Sequence, residues 1–315
     1  MKNTVITKLS SRKFWASFIA FASSLLTVIF SDRLTAEEIE LIKNGIFILC
    51  VYIFGESGID IVRLLRTSFE YGEAIGGFSD DRLEFVVRIA TDAAKTADEY
   101  AGKLLSVLAL HGVERTAISG AIISSVVPPL NKVMAGAVRF IYGVEPLMVG
   151  PGIKTGINIR CDTPSSVGAD LICGCVAAHH IYGSPSLIVD MGTATKMMVV
   201  NRAGAFIGVS IIPGVRMGMR ALSEGTAQLP QVSLEAPPSV IGKNTPDCMR
   251  SGVVFGNASL IDGMIDRITE EVGEPLPVYA TGGLAPVITP YCRHAITLDE
   301  HLVLKGLYLL YQKNT

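Results

Sequence analysis

Ser186–Asn201 reads SLIVDMGTATKMMVVN. Leu187–Val189 has the character of a buried strand, Gly192-Thr193 of a tight turn, and Lys196–Val200 of a second strand; GAFIGVSII at 204–212 continues as a third. Asp190 closes the first strand beside the Gly-Thr turn. Gly192 lets backbone N–H groups approach phosphate oxygens with no Cβ in the way. The threonine hydroxyls add neutral donors, and an aspartate at this position can hold a cation that neutralises phosphates. From these residues alone, an ordinary hairpin with an aspartate in its turn is an equal reading.

Outward from this stretch the chain alternates between strand and helix patterns from about residue 74. Arg82–Thr91 reads as a strand, Thr96–His111 as a helix and Thr116–Val126 as a β-rich run. Pro128-Pro129 opens a helix through about Tyr142. Ser165–Tyr182 reads as helical with Ser165 or Ser166 as cap, and PGVRMGMRALSEGTA and Arg250–Val272 as further helices. VYATGG, from Val278, is a buried strand ending in a glycine turn, and His301–Gln312 a final helix. Strand triplets followed by helices suit a two-lobed mixed sheet better than a purely parallel one.

Two more motifs carry chemistry. Gly168-Ala169-Asp170 opens a helix, where the positive end of the helix dipole keeps a carboxylate ionised and able to take a proton from an attacking alcohol. A first-turn aspartate that merely stabilises its helix reads the same way. Thr281-Gly282-Gly283 follows a strand, where paired glycines allow close approach of a flat ring or a phosphate; a plain β–α turn is the alternative. Neither GxGxxG nor GxxxxGK[ST] occurs, so Rossmann and P-loop chemistry are not indicated. His179-His180 reads as a pair of surface or cap residues rather than a metal site, and the 10 methionines as core or interface filler.

The 315 residues suffice for two packed lobes, and the net charge of -2 argues against a broad basic surface for nucleic acid. The six cysteines have neither CxxC pairs nor regular spacing, as for reduced thiols in the cytoplasm. Residues 1–71 differ from the rest. Phe14–Phe30 carries no charge, Gly45–Gly55 is a second apolar run, and basic residues flank both. The pattern suggests a helical hairpin contacting a membrane through residues 14–59, with both ends in the cytoplasm, and resembles a small phage holin; a buried helical pair and a signal peptide are the other readings.

Taken in order, GAD, DMGTAT, SIIPGVRMGMRALSEGTAQLP, IGKNTPDCMRSG and ATGGLA, with RIATDAAKTADEYA before them and LDEHLVLKGL after, resemble the type III pantothenate kinases. The resemblance covers about three quarters of the chain. It implies an α/β, two-lobed acetate-kinase/actin-like (ribonuclease H-like) fold, with a kinase domain at 72–315 and lobes at about 72–160 and 161–315, preceded by the helical segment 1–71. It implies transfer of a phosphoryl group from ATP to the primary hydroxyl of pantothenate, the first step of coenzyme A synthesis. Asp170 would be the general base; Asp190, Gly192 and Thr193 the second phosphate motif, with Asp190 as metal ligand; Thr281, Gly282 and Gly283 would lie against the adenosine. Gly168 would line the pantothenate pocket, and Thr245 would reach the pocket of a partner subunit. The family acts as a homodimer with ATP, Mg2+ and a monovalent cation, K+ or NH4+, and the expected location is cytoplasmic, with the N-terminal hairpin as an anchor to the inner face of a membrane.

The chain departs from the family pattern twice. Leu171 stands where many members carry an arginine for the pantothenate carboxylate, which leaves Arg160 as a candidate. The family's first strand, ending in Asp-x-Gly-Asn-Thr, should precede GGFSDDRLEF, but RTSFEYGEAI stands there. The loss removes a central strand and a carboxylate, for which Glu70 and Glu73 are candidate replacements, and it should leave unpaired backbone in the first lobe. Three functions therefore stay open: an active kinase, an inactive kinase-derived binding protein, and a small membrane protein fused to a kinase remnant.

Overall fold

The computed structural model of the chain describes residues 72–315, apart from 93, 126–127 and 227–228. The helical hairpin expected over 1–71, its membrane contact over 14–59 and Glu70 lie outside the described residues. Among the described residues no helix is long and apolar enough to cross a membrane.

β1 (Gly72–Ser79) and β2 (Arg82–Ala90) form an antiparallel hairpin, with Glu73 opposite Ile89. Asp80 and Asp81 make its turn at φ 47° and 64°, a region that aspartate tolerates better than most residues. α1 (Ala97–Leu110) starts from a capping box: the Thr96 hydroxyl accepts from the Glu99 N–H, and the Glu99 carboxylate accepts from the Thr96 N–H. α1 packs on α2 (Pro128–Tyr142) around Tyr100, Leu104, Leu130 and Ile141. β3 (Ile122–Ile123) and β4 (Leu147–Met148) are a separate parallel pair. Only two residues of the β-rich run expected over Thr116–Val126 thus form a strand.

The rest of the chain builds one six-stranded sheet. Its strands are β5 (Asn158–Ile159), β6 (Ser186–Met191), β7 (Ala194–Val200), β8 (Ala205–Pro213), β9 (Val278–Thr281) and β10 (Ile296–Leu298), in the order β10-β9-β6-β7-β8-β5. β6 runs antiparallel to β7 and parallel to β9. Every residue of β6 is buried, as a strand covered on both faces must be. One face, with Leu187, Val189 and Met191, packs on α5 (Thr245–Val272) through Val253, Val254, Ile261 and Ile265. The other, with Ile188 and Met198, packs on α3 (Ala169–Ala177) and on Leu302 of α7 (Leu302–Asn314). Met191, Met197 and Met198 are core residues, whereas Met217, on α4 (Val215–Glu224), is exposed.

Helix starts differ from the sequence reading at two places. Pro164–Ser166 is a 3-10 turn, and α3 begins only at Ala169 with Gly168 as its cap. The Ser166 hydroxyl instead donates to the Thr163 carbonyl. α5 begins at Thr245, before Arg250, because the Asn244 side chain accepts from the Asp247 N–H and Pro246 sits in the first turn, where its missing donor costs nothing. α3 and α7 meet backbone to backbone: a Cβ at Gly306 would stand 1.8 Å from the Cys173 carbonyl oxygen.

Candidate active site

Asp190 is the penultimate residue of β6, and Thr281 ends the parallel neighbour β9 in register with it. The carboxyl ends of adjacent parallel strands are where open α/β sheets take up ligands. The chain leaves β9 through Gly282 at φ 92°, a conformation that costs a side-chain-bearing residue energy. A Cβ there would also lie 2.6 Å from the Met191 carbonyl carbon and 2.8 Å from Asp190 Oδ1. Glycine therefore lets the turn at Thr281–Gly283 lie directly on the Asp190–Met191 backbone. The Leu284 N–H donates to the Met191 carbonyl at 3.3 Å and fixes the contact. On the other side of Asp190, the Gly192 N–H donates to the Ala194 carbonyl, which closes the Gly192-Thr193 turn and leaves Thr193 exposed.

Asp170 reaches the same place from the first turn of α3. Its Oδ1 stands beside Gly168, where a Cβ would be 2.7 Å away. Its Oδ2 accepts from Lys196 Nζ at 2.5 Å, and the same ammonium donates to Asp190 Oδ2 at 2.8 Å. Asp190 and Lys196 are cross-strand partners on β6 and β7, so the hairpin register itself aligns the pair. The three side chains are 27%, 12% and 16% exposed for Asp170, Asp190 and Lys196. Burial raises the Asp190 carboxyl above its ordinary value, with Lys196 opposing and Asp170 adding to the rise. For Lys196 burial acts downward, but the charge of Asp190 and the hydrogen bonds to Asp170 and Asp190 outweigh it and hold the ammonium above its ordinary value.

The structure thus gathers Asp170 with Gly168, Asp190 with Gly192 and Thr193, and Thr281 with Gly282 and Gly283. Thr245, at the exposed start of α5, joins this cluster through no hydrogen bond or ion pair among the described residues. Leu171 points into the core beside Cys175 and Ile188, and Arg160 is exposed just after β5. His179 and His180 make local bonds, to Ser184 Oγ and the Val176 carbonyl. Lys196 is the residue that sequence reasoning missed. Its signal was a single charge inside a strand whose next four residues, Met197–Val200, are all apolar.

Two carboxylates near a phosphate-binding turn are a candidate divalent-metal site, but the donor set here is already neutralised from within. Lys196 occupies one oxygen of each carboxylate, and among the described residues no third His, Cys, Asp or Glu joins them. The arrangement does not fit a divalent ion held by the protein's own ligands. Asp170 keeps Oδ1 on the Gly168 side, while its Oδ2 is paired with Lys196.

Solved structures resemble the chain at low similarity. One, from Campylobacter jejuni and described as a conserved Baf family transcriptional activator, is 18% identical with a TM-score of 0.46, over 74% of this chain and 92% of its own. Another, the inorganic polyphosphate/ATP-glucomannokinase of Arthrobacter sp. strain KM, is 13% identical with a TM-score of 0.40, over 77% of this chain and 95% of its own. The sequence itself carries the assignment. The family model described as type III pantothenate kinase matches residues 74–267, more than half of the chain and inclusive of every site residue up to Thr245. The mixed sheet, the ordered motifs and this match agree, and the chain belongs to the type III pantothenate kinase family, with its acetate-kinase/actin-like fold.

Proposed function

We propose that the chain transfers the γ-phosphoryl group of ATP to the primary hydroxyl of pantothenate, giving 4'-phosphopantothenate. The observation that carries this reading is the meeting of Asp170, Asp190 and Lys196 at the carboxyl ends of β6 and β9, with the Gly282 turn laid against them. In the reaction the hydroxyl loses its proton to Asp170 as its oxygen attacks phosphorus, and ADP leaves. The Gly192-Thr193 turn, through the Thr193 N–H and hydroxyl, would receive phosphate oxygens, and the Thr281–Gly283 turn the adenosine. Such transfer depends on positioning and charge neutralisation more than on covalent chemistry. Mg2+ would arrive with the nucleotide, and K+ or NH4+ would serve as the monovalent ion. Exposed Ile207 and Ile211 on β8 and Met217 and Leu222 on α4 support a homodimer, to which Thr245 would contribute.

The test is ATP-dependent phosphorylation of pantothenate with magnesium and potassium, in the parent and in Asp170→Asn. Turnover that falls by at least about 100-fold in the variant supports the reading. A folded parent without turnover would overturn it in favour of the second reading, a kinase-derived binding protein. One observation favours that alternative: among the described residues, β1-β2 and β3-β4 form two separate pairs instead of one sheet.

A further inference from the structure

Lys196 is the one charged residue of β7. Its side chain is largely buried and ends between two carboxylates that come from different elements. Asp190 stands directly across the β6–β7 ladder from it, while Asp170 reaches it from the first turn of α3. Nζ donates to Oδ2 of both, at 2.8 Å and 2.5 Å. One ammonium therefore joins a strand of the sheet to the helix that covers it.

The other oxygen of each carboxylate faces a glycine. Asp190 Oδ1 would lie 2.8 Å from a Cβ at Gly282, in the turn that leads into α6 (Ala285–Ile288), and Asp170 Oδ1 would lie 2.7 Å from one at Gly168. An ion shared by the two carboxylates is thus confined to the space between the Oδ2 atoms, where Nζ already stands. Mg2+ binds oxygen at about 2.1 Å and Ca2+ at about 2.3–2.6 Å, so a divalent ion between these oxygens and the ammonium exclude one another. Ejecting the ammonium is costly as well. On its other edge β7 places Lys196 opposite Ile211, whose exposed side chain offers no counter-charge, and a lysine turned outward would leave two buried carboxylates facing each other unpaired.

We propose that Lys196 is a tethered counter-ion, an ammonium fixed in the place that a divalent cation shared by Asp170 and Asp190 would occupy, so that the free protein takes up no divalent ion there. A tethered ammonium is a compact point charge with N–H donors, present at any metal concentration; it holds the two carboxylates in position without acting as a Lewis acid. Within the kinase reading, this assigns the magnesium requirement to the nucleotide. The exclusion itself goes beyond that reading, since it is a property of the chain alone and is measured without nucleotide.

The test titrates the full-length chain with Mn2+, which accepts the same oxygen ligands as Mg2+, and follows the free ion by electron paramagnetic resonance. The parent should show no saturable uptake that depends on Asp190. Lys196→Met should gain one Mn2+ per chain, bound at least about tenfold more tightly than any ion in the parent, because the competing charge is gone and both carboxylates are freed. Mn2+ should raise the Tm of Lys196→Met and leave that of the parent unchanged. Adding Asp190→Asn to Lys196→Met should abolish the uptake, and Lys196→Arg, which keeps the charge, should exclude the ion as the parent does. A further measurement needs no loss of charge. The Lys196 ammonium resonance, assigned by its absence in Lys196→Arg, should be protected from solvent exchange in the parent and stay unshifted as Mg2+ is added. Saturable Mn2+ uptake by the parent that Asp190→Asn removes, an ammonium signal displaced by Mg2+, or a folded Lys196→Met that gains no ion each overturns the proposal. None of these readings depends on turnover, so failure of the kinase reading and failure of this one are told apart.

Discussion

Among the described residues, two regions of this kinase-family chain are built to the same order and differ by one strand. In the six-stranded sheet, β6 gives β7 and β9 a common partner, and Asp190, next to its last residue, becomes the centre of the candidate site. In the N-terminal region the corresponding hairpin and parallel pair stay separate and rest on α7. The comparison shows what a central strand contributes. It supplies two ladders, a buried apolar face on each side, and a carboxylate delivered at a fixed height above the sheet. A helix beneath can hold flanking strands in place, but it cannot provide the carboxylate.

The sharpest way to break the better-built region is Lys196→Met. Methionine keeps much of the volume but removes the charge that two partly buried carboxylates share, and breaking such a pair costs about 3 kcal/mol. Urea unfolding should show that loss at pH 7, and phosphorylation should fall with it. The pH dependence separates this from a packing effect. Asp190 and Lys196 both have raised values in the folded state, so each binds its proton more tightly there than when unfolded. Each contribution is therefore complete below the unfolded value and is lost as pH rises through the folded one. The parent should lose the Lys196 contribution only above its ordinary value of 10.5. In Lys196→Met that alkaline loss should vanish, and the deficit relative to the parent should shrink as acid protonates Asp190. A variant that melts like the parent at pH 7 would show that the ammonium does not hold the site together.

The next effect tests whether α7 really carries the N-terminal region. Gly306→Val places a branched side chain against the Cys173 backbone, which cannot swing aside, and overpacking of this kind costs roughly 1–3 kcal/mol. If α7 is the shared floor, its displacement should speed hydrogen exchange in β1 and β3 as well as in α3. Faster exchange confined to α3 would mean that the two small sheets stand without it.

Legibility in the sequence followed the same division. SLIVDMGTATKMMVVN announced its strands because apolar runs meet at an Asp-x-Gly turn, and residues 168, 170, 190, 192 and 281–283 lie together in the fold. Lys196 stayed hidden, since a lysine in a strand ordinarily reads as a solvated position, and only the fold places two carboxylates over it. β1 was also silent: GEAIGGFS has three glycines and little alternation, so its strand exists through pairing with β2 rather than through propensity. The start of α3 was misplaced because Ser165 and Ser166 look like caps, whereas Pro164 directs them into a 3-10 turn. The start of α5 was legible in principle, from Asn244 and Pro246.

The smallest expected effect sharpens the comparison most directly. Phe78 stacks face to face on Tyr308, whose hydroxyl donates to Asp81 Oδ1 at 2.9 Å, and Gln312 donates to the same oxygen. Phe78→Ala removes the ring contact while leaving the turn bonds in place. An aromatic pair adds about 1 kcal/mol beyond the area it buries. Because Phe78 is only half-buried and, among the described residues, β1 has one partner strand, the loss should be local: faster amide exchange across Gly72–Ala90, with little change in β6, β7 or the Asp170–Lys196–Asp190 cluster. If the variant instead loosens β6 as much as β1, the two regions unfold as one unit and the contrast between them is one of architecture alone.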